Sequence, residues 1–436
     1  MKQTTVGIIG WGTVGSGAIK ILLEDRELIV QKLGWPVVLK KVADLDLTSP
    51  RPVRPDPSQL TQDAWEIIND PEIDIVVELI GGYEPAKTFI LAAIAAGKHI
   101  VTANKALLAV HGREIFEAAA RNGVDVLFEA SVGGGIPIIR SLKEGLAANH
   151  INYFFGILNG TSNYILTKMT EEGMEFGQAL KEAQDQGFAE ADPSFDVEGI
   201  DAAHKLAILV ALAYGYRVDF NDIYVEGISR LDPLDISFAA EFGYEVKLLA
   251  ISSKQGNLVE ARLHPAMVPK GHLLTEVRGP FNAIHINGHA VGDLLFYGSG
   301  AGMMPTASAI VGDIMELARS TNSGAPGRVP ALAWSEVSGN GMTLKAMEEV
   351  VTTYYFRFSA VDRPGVLSKI AGVLGAHGIS IGAVIQKGRE IHGAVPIVML
   401  THEAKEAHVR AALAEMDGLG VLCDQTVLIR VEARLG

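Results

Sequence analysis

The chain has 436 residues, 48% of them hydrophobic, enough to bury several cores. At roughly 100–200 residues per domain, about two to four domains are expected. A formal net charge of −14 without any dense run of Lys and Arg argues against a phosphate-rich partner such as nucleic acid.

The opening MKQTTVGIIGWGTVG lacks the basic region and cleavage site of a secretory leader and reads as a first strand. TTVGII, from Thr4 to Ile9, is β-branched and apolar; Gly10, Gly12, Gly15 and Gly17 follow, then AIKILLEDRELI with helical spacing. Gly10, Gly12 and Gly15 form G-x-G-x-x-G between that strand and that helix. There the first glycine makes the turn, the second lets backbone approach a pyrophosphate, and the third lets helix and strand pack closely. The phosphates would lie at the helix amino terminus, beside Thr13 and Val14. A glycine turn without a ligand fits the motif alone, but not its setting.

VVLKKVAD (37–44), IDIVVELIG (73–81), HIVTAN (99–104) and VDVLFEAS (124–131) continue as strands, with helical segments between them. This alternation predicts an α/β fold that opens with a Rossmann-type dinucleotide-binding domain over 1–130, its parallel sheet covered on both faces. Asp44 ends the second strand, where an acid binds ribose hydroxyls and favours NAD; Lys40, Lys41 and Arg51 lie close and leave NADP open. Lys105, in TANKALLA, follows a strand at the carboxyl edge of the sheet, where ligands of open α/β folds collect. It can bond a substrate or cofactor, or move a proton if its pKa is lowered; a surface lysine opening a helix is the plain alternative.

After Ser131 come glycine-rich turns, helices to about residue 216, and longer strands such as VKLLAIS and LVEARLHPAMV. These predict an α+β domain over 131–320, whose last helix packs back on the first domain. GFAEADPSFDVEGIDAAHK (187–205) concentrates Glu190, Asp192, Asp196, Glu198 and Asp201 ahead of His204, Lys205 and the apolar LAILVALAYGY. Asp201 and Lys205 are four apart and share a helix face. A surface ion pair is the bland reading, but the helix continues as an apolar rod, and a partly buried lysine beside a carboxylate suits proton transfer. Glu190 and Asp196, in a loop broken by Pro193, can hold an ammonium or hydroxyl, whereas Asp192 and Glu198 read as loop charge. EF-hand spacing is absent, so a calcium cage does not fit. His285 and His289 lie in HINGHAV, whose Gly288 argues against a helix, and read as non-ligands.

The Gly-, Pro- and Ser-rich stretch within 321–351 reads as a linker. From 352 to 436 the order βαββαβ predicts a separate ferredoxin-like domain. Cys423 reads as a small buried side chain; a lone cysteine forms neither an internal disulfide nor a cysteine-based zinc site. This scarcity fits a reducing compartment, and the longest uncharged helix falls short of the ~20 residues that span a bilayer, so a cytoplasmic location with no membrane partner is expected.

GWGTVG, TANKALLA, EASVGGGIPII, ILNGTSNYIL, GFAEADPSFDVEGIDAAHKLAIL and GAGMMPTASAIVGDI, in this order across nearly the whole chain, resemble homoserine dehydrogenase with a carboxyl-terminal ACT domain. The resemblance implies reversible interconversion of L-aspartate 4-semialdehyde and L-homoserine with NAD or NADP, on the route to threonine, methionine and isoleucine. It implies that Glu190 and Asp201 bind the amino acid, that Asp196 positions it, and that Lys205 is the general acid or base. Lys105 matches a lysine between cofactor and substrate, so either lysine can carry the proton. Glu129, Val132, Gly134 and Ile136 match positions that hold a sodium ion, largely through backbone oxygens; Gly187 and Gly302 match glycines that approach the nucleotide.

VDRPGVLSKIAGVLGAHGISI resembles the start of an ACT module, which places Asp362, Pro364 and Gly365 near an amino-acid effector, with L-threonine expected. A module serving only oligomer contacts is the alternative. A homodimer or homotetramer is implied, as is a monofunctional enzyme without a kinase domain ahead of residue 1.

Overall fold

The computed structural model describes residues 3–335, 341–386 and 394–433. Six strands, β1 (Thr4–Ile9), β2 (Val37–Ala43), β3 (Leu60–Thr61), β4 (Ile75–Glu78), β5 (His99–Thr102) and β6 (Val126–Leu127), form a parallel sheet in the order 3-2-1-4-5-6. β1, β4 and β5 are buried at every position, as continuous apolar strands under helices on both faces should be. The order reverses between β1 and β4, which opens the crevice where such sheets bind dinucleotides. α1 (Thr13–Glu24) leaves the glycine turn after β1, and α2 (Lys105–Asn122) leaves the end of β5.

Three details depart from the sequence reading. AIKILLEDRELI breaks at Asp25, whose N–H closes α1 on the Ile21 carbonyl while its own carbonyl opens a second helix, Arg26–Leu33. VDVLFEAS yields only two strand residues, because the chain turns at Glu129 and its carboxylate takes the N–H groups of Ile139 and Arg140, each at 2.8 Å. β3 was not anticipated, since two residues are too few to show a period.

The second region is built on β7 (Ile151–Ile157), α3 (Gly160–Glu172), α4 (Ile200–Tyr214), β8 (Tyr244–Gln255), β9 (Leu258–Pro269), β10 (Phe281–Gly288) and β11 (Gly292–Ser299). His285 lies in β10, and Asp293 is 3.3 Å from its ring. α4 is buried from Asp201 through Tyr214. α5 (Met303–Asn322) returns to the first region as expected: Ala307, Ile310 and Ile314 share a core with Val6, Ile8 and Ala18.

The last region has β12 (Val351–Ala360), α6 (Val366–Ala376), β13 (Ile381–Gln386), β14 (Val395–Thr401), α7 (Glu406–Asp417) and β15 (Val427–Val431), the βαββαβ order. It has its own core around Tyr354, Phe356, Ile370 and Val409. It is not detached, however: β15 pairs in parallel with β9 through Ala266–Arg430 and Met267–Val431, so one sheet runs through both regions. Buried ions hold the joint. Arg357 grips Asp235 with two bonds of 2.6 and 2.8 Å, Arg430 reaches Glu226 at 2.8 Å, and Arg262 reaches Glu432 at 2.8 Å.

Part of the expected linker is also structured, for Thr343–Leu344 pairs with Leu258 and Val259 of β9. Its residues 336–340, and residues 387–393 after β13, lie outside the described residues. Cys423 is exposed rather than buried; its N–H bonds the Ser359 carbonyl at 2.7 Å along the rim of the domain, and the side chain faces out. Among the described residues no helix is long and apolar enough to cross a membrane.

Candidate active site

The glycine turn is shaped for a ligand's phosphates. Gly10 has φ +107°, and a Cβ there would lie 2.7 Å from the Leu79 carbonyl carbon. A Cβ on Gly15 would lie 2.1 Å from the Gly10 carbonyl oxygen, so α1 approaches β1 closely only because that side chain is absent. At Gly12 a Cβ would meet nothing within 4 Å, so the backbone there borders open space. α1 carries no acid in its first turn and no side-chain cap, which leaves the N–H groups near Thr13 and Val14 for an anion. Asp44 stands beside this turn, but its carboxylate accepts the Trp11 N–H at 2.5 Å and the Asp46 N–H at 2.9 Å. The Arg51 guanidinium lies 5.7 Å from the centre of the Trp11 ring.

The second centre is Asp201, 4% exposed in the first turn of α4. One carboxylate oxygen meets Lys105 Nζ at 2.9 Å and the other Lys205 Nζ at 2.6 Å. Lys205, 7% exposed, also donates to the Leu158 carbonyl at 2.7 Å. Burial pulls the Lys205 ammonium below its ordinary value and Lys105 adds to this, with Asp201 opposing. For Lys105 burial also works downward, but Asp201, Asp196 and Glu190 together lift it above its ordinary value. Asp201 is held well below the carboxylate range: burial pushes it up, and the two lysines outweigh that push. Burial and charge therefore move the two lysines in opposite directions, Lys205 below and Lys105 above the ordinary value.

Asn159 was missed in the sequence reading and ties the cluster together. Its Oδ1 caps α3 by accepting the Ser162 N–H at 2.8 Å, while Nδ2 donates to Asp196 at 2.7 Å and to Asp201 at 2.9 Å. An Asn with a Ser three residues on, at the end of a strand, was the available signal. Burial raises the Asp196 carboxyl. Asp192 only caps its own turn, accepting the Ser194 N–H and hydroxyl. Glu190 is exposed at the mouth and its carboxylate contacts neither lysine, although its charge is felt at Lys105. His204 is 2% exposed and stacked on Phe220 with ring centres 4.2 Å apart; burial depresses it to about 4.

Glu129, Val132, Gly134 and Ile136 form a tight turn beneath α5. The Glu129 N–H donates to Asp313 at 2.8 Å, and burial raises Asp313 to about 7. No group of three or more His, Cys, Asp or Glu side chains among the described residues could hold a metal. Among the described residues the backbone carbonyls of Val132 and Gly134 accept no backbone N–H, and oxygens of this kind suit a hard cation. Gly302, φ +125°, starts α5 against α1 near the glycine turn; Gly187 lies in the exposed turn after the helix Phe176–Asp185.

The family model for homoserine dehydrogenase matches residues 137–315, and that for the homoserine dehydrogenase NAD binding domain matches 10–129. The chain is 45% identical over 433 residues to homoserine dehydrogenase of Neisseria gonorrhoeae, covering 99% of each. The chain belongs to the homoserine dehydrogenase family. Like the other members it is an oxidoreductase with a nicotinamide dinucleotide domain, and it carries an ACT domain over 354–421. The crystal structure of the Thiobacillus denitrificans homoserine dehydrogenase superposes with a TM-score of 0.92 at 45% identity, covering 100% of this chain and 99% of that one. A hyperthermophilic archaeal homoserine dehydrogenase, solved in complex with NADPH, superposes with a TM-score of 0.62 at 26% identity over 73% of this chain and 98% of that one.

Proposed function

We propose that the chain interconverts L-homoserine and L-aspartate 4-semialdehyde, with Lys205 taking and returning the hydroxyl proton. The bonding of Lys205 Nζ carries this reading. A neutral amine has two N–H groups, and the Leu158 carbonyl and Asp201 accept two bonds from it, leaving the lone pair to accept a proton. Burial, which lowers its pKa, works toward that neutral form. In the reverse direction the ammonium donates to the developing alkoxide. Lys105, held cationic by Asp201, orients the oxygen from the cofactor side. Asp196 and Glu190 receive the substrate ammonium. The nicotinamide, when bound, supplies the hydride acceptor or donor. The turn of Glu129, Val132, Gly134 and Ile136 would hold sodium, largely through backbone oxygens such as those of Val132 and Gly134.

The deciding assay follows reduced-nicotinamide absorbance with homoserine, using NAD and NADP in parallel. A rise with either is expected, and none with both rejects the reading. Glu190→Ala should raise the homoserine KM about tenfold with a smaller change in kcat; an unchanged KM removes that contact.

The pH profile supplies a further check. In oxidation, kcat/KM should rise with pH through a limb below 10.5, the ordinary lysine value. Lys105→Met removes a neighbouring positive charge and should move that limb upward; a limb that stays in place would separate the two lysines.

The ACT domain supports feedback by threonine. Asp362, Pro364 and Gly365 line a cavity of about 330 Å³ at the start of α6. Threonine should inhibit turnover and Asp362→Ala should release that inhibition; no inhibition at millimolar threonine counts against the effector. Phe281 and Tyr297, stacked and 37% and 55% exposed on the second and the edge strand of the sheet, support a homodimer or homotetramer through this sheet.

A further inference from the structure

A cavity of about 1070 Å³ opens beyond the Asp201 cluster, between α2, α4 and the strap of residues 327–335. Small-molecule sites run to roughly 300–1,000 Å³, so it is large enough for an organic ligand. Its apolar wall includes Leu108, Phe116, Phe128, Ala207, Ala211 and Leu332. The strap is fastened across it: Trp334 Nε1 donates to the Leu212 carbonyl at 2.9 Å, and Arg328 meets Glu144 at 2.9 Å.

Among the described residues the lining carries Arg113, Lys143 and Arg217 against Glu117, Asp125 and Asp219. Lys143 is only 8% exposed, and its ammonium lies 5.9 Å from the Phe128 ring centre with no hydrogen bond or ion pair among the described residues. Arg217, also on the wall, has a buried Nε without a partner. The lining acids are already engaged: Glu117 pairs with Arg113 at 2.8 Å, Asp125 accepts the Gly327 N–H at 2.9 Å, and Asp219 accepts the Asn221 N–H at 2.9 Å. Asp313, the acid with the strongest pull on Lys143, is committed to Arg140 and the Glu129 N–H. The acids around Lys143 act on it only through space, and an anion entering with an apolar body would add a direct bond while matching the wall.

We propose that this cavity binds a small organic anion, a carboxylate on an aromatic or branched apolar body, with its charge at the Lys143 ammonium. The site is distinct from the glycine turn, the Asp201 cluster and the ACT cavity. Its walls are nevertheless the helices that carry Lys105 and Lys205.

The test is calorimetric titration of the full chain, with NADP present, using 4-phenylbutyrate and its uncharged counterpart 4-phenylbutan-1-ol. The acid is expected to bind about tenfold more tightly than the alcohol, the effect of one charge-assisted hydrogen bond. Lys143→Met should abolish that difference while the alcohol still binds. Lys143→Gln, which keeps a polar end but not the charge, should also abolish the difference and gives an independent reading if Lys143→Met does not fold. Equal binding of acid and alcohol to the unaltered chain, no binding of either at millimolar concentration, or a preference for the acid that survives both substitutions would overturn the proposal.

Discussion

Lys205→Ala is expected to lower kcat by about 10²–10⁴-fold, the range attributable to a positioned general acid or base, while the cofactor dissociation constant stays within about twofold. Steady-state turnover and fluorescence titration of the reduced cofactor give the two numbers. The split is expected because Lys205 lies on α4 against Asp201 and Leu158, whereas the glycine turn is built by β1 and α1. Folding should survive, since Asp201 keeps its bonds to Lys105 and Asn159. Near-normal turnover would take Lys205 out of the chemistry. Partial recovery with added ethylamine would identify the missing group as an amine.

Asp201→Asn should have the larger effect on stability, about 3 kcal/mol, because one carboxylate neutralises two ammonium groups at a buried position. Its activity signature is directional. Asp201 raises the Lys205 pKa, so its loss should lower that value further and move the alkaline limb of oxidation toward acid, opposite to the movement expected for Lys105→Met. Reduction, which needs the ammonium as donor, should suffer more than oxidation.

The stability loss should itself depend on pH. Lys205 binds its proton less readily folded than unfolded, so the unfolded chain takes up more protons below 10.5. The deficit should therefore shrink as pH rises from the variant's further lowered folded value through the wild-type folded value, both below 10.5. Urea unfolding at two pH values measures it, and a deficit that grows with pH would show that Lys205 is not the group left uncompensated.

Much of this was legible in the sequence because it is local. The glycine turn, the alternation of strands and helices, and the four-residue spacing of Asp201 and Lys205 all have signatures within one or two elements. What could not be read was made by contacts distant along the chain. The Lys105–Asp201 bond joins the edge of the first sheet to a helix of the second region, and its geometry, rather than its residue types, distinguishes the two lysines. The Leu158 carbonyl has no side-chain identity to read, and Asn159 looks like an ordinary helix cap until Asp196 and Asp201 fold over it. The parallel pairing of β15 with β9 involves two residue pairs, too short a ladder to leave a pattern.

That pairing has a mechanical consequence. A module on a flexible tether signals by swinging, but here the carboxyl-terminal strands are planks of the same deck as β8 and β9. The bonds at the joint continue inward: Arg430 holds Glu226, and two residues later the Ile228 N–H bonds the Val197 carbonyl at 2.8 Å, next to the loop from which Asp201 rises. A load on the terminal domain would thus fall on a continuous sheet whose joint is fastened by a buried arginine, not on a hinge.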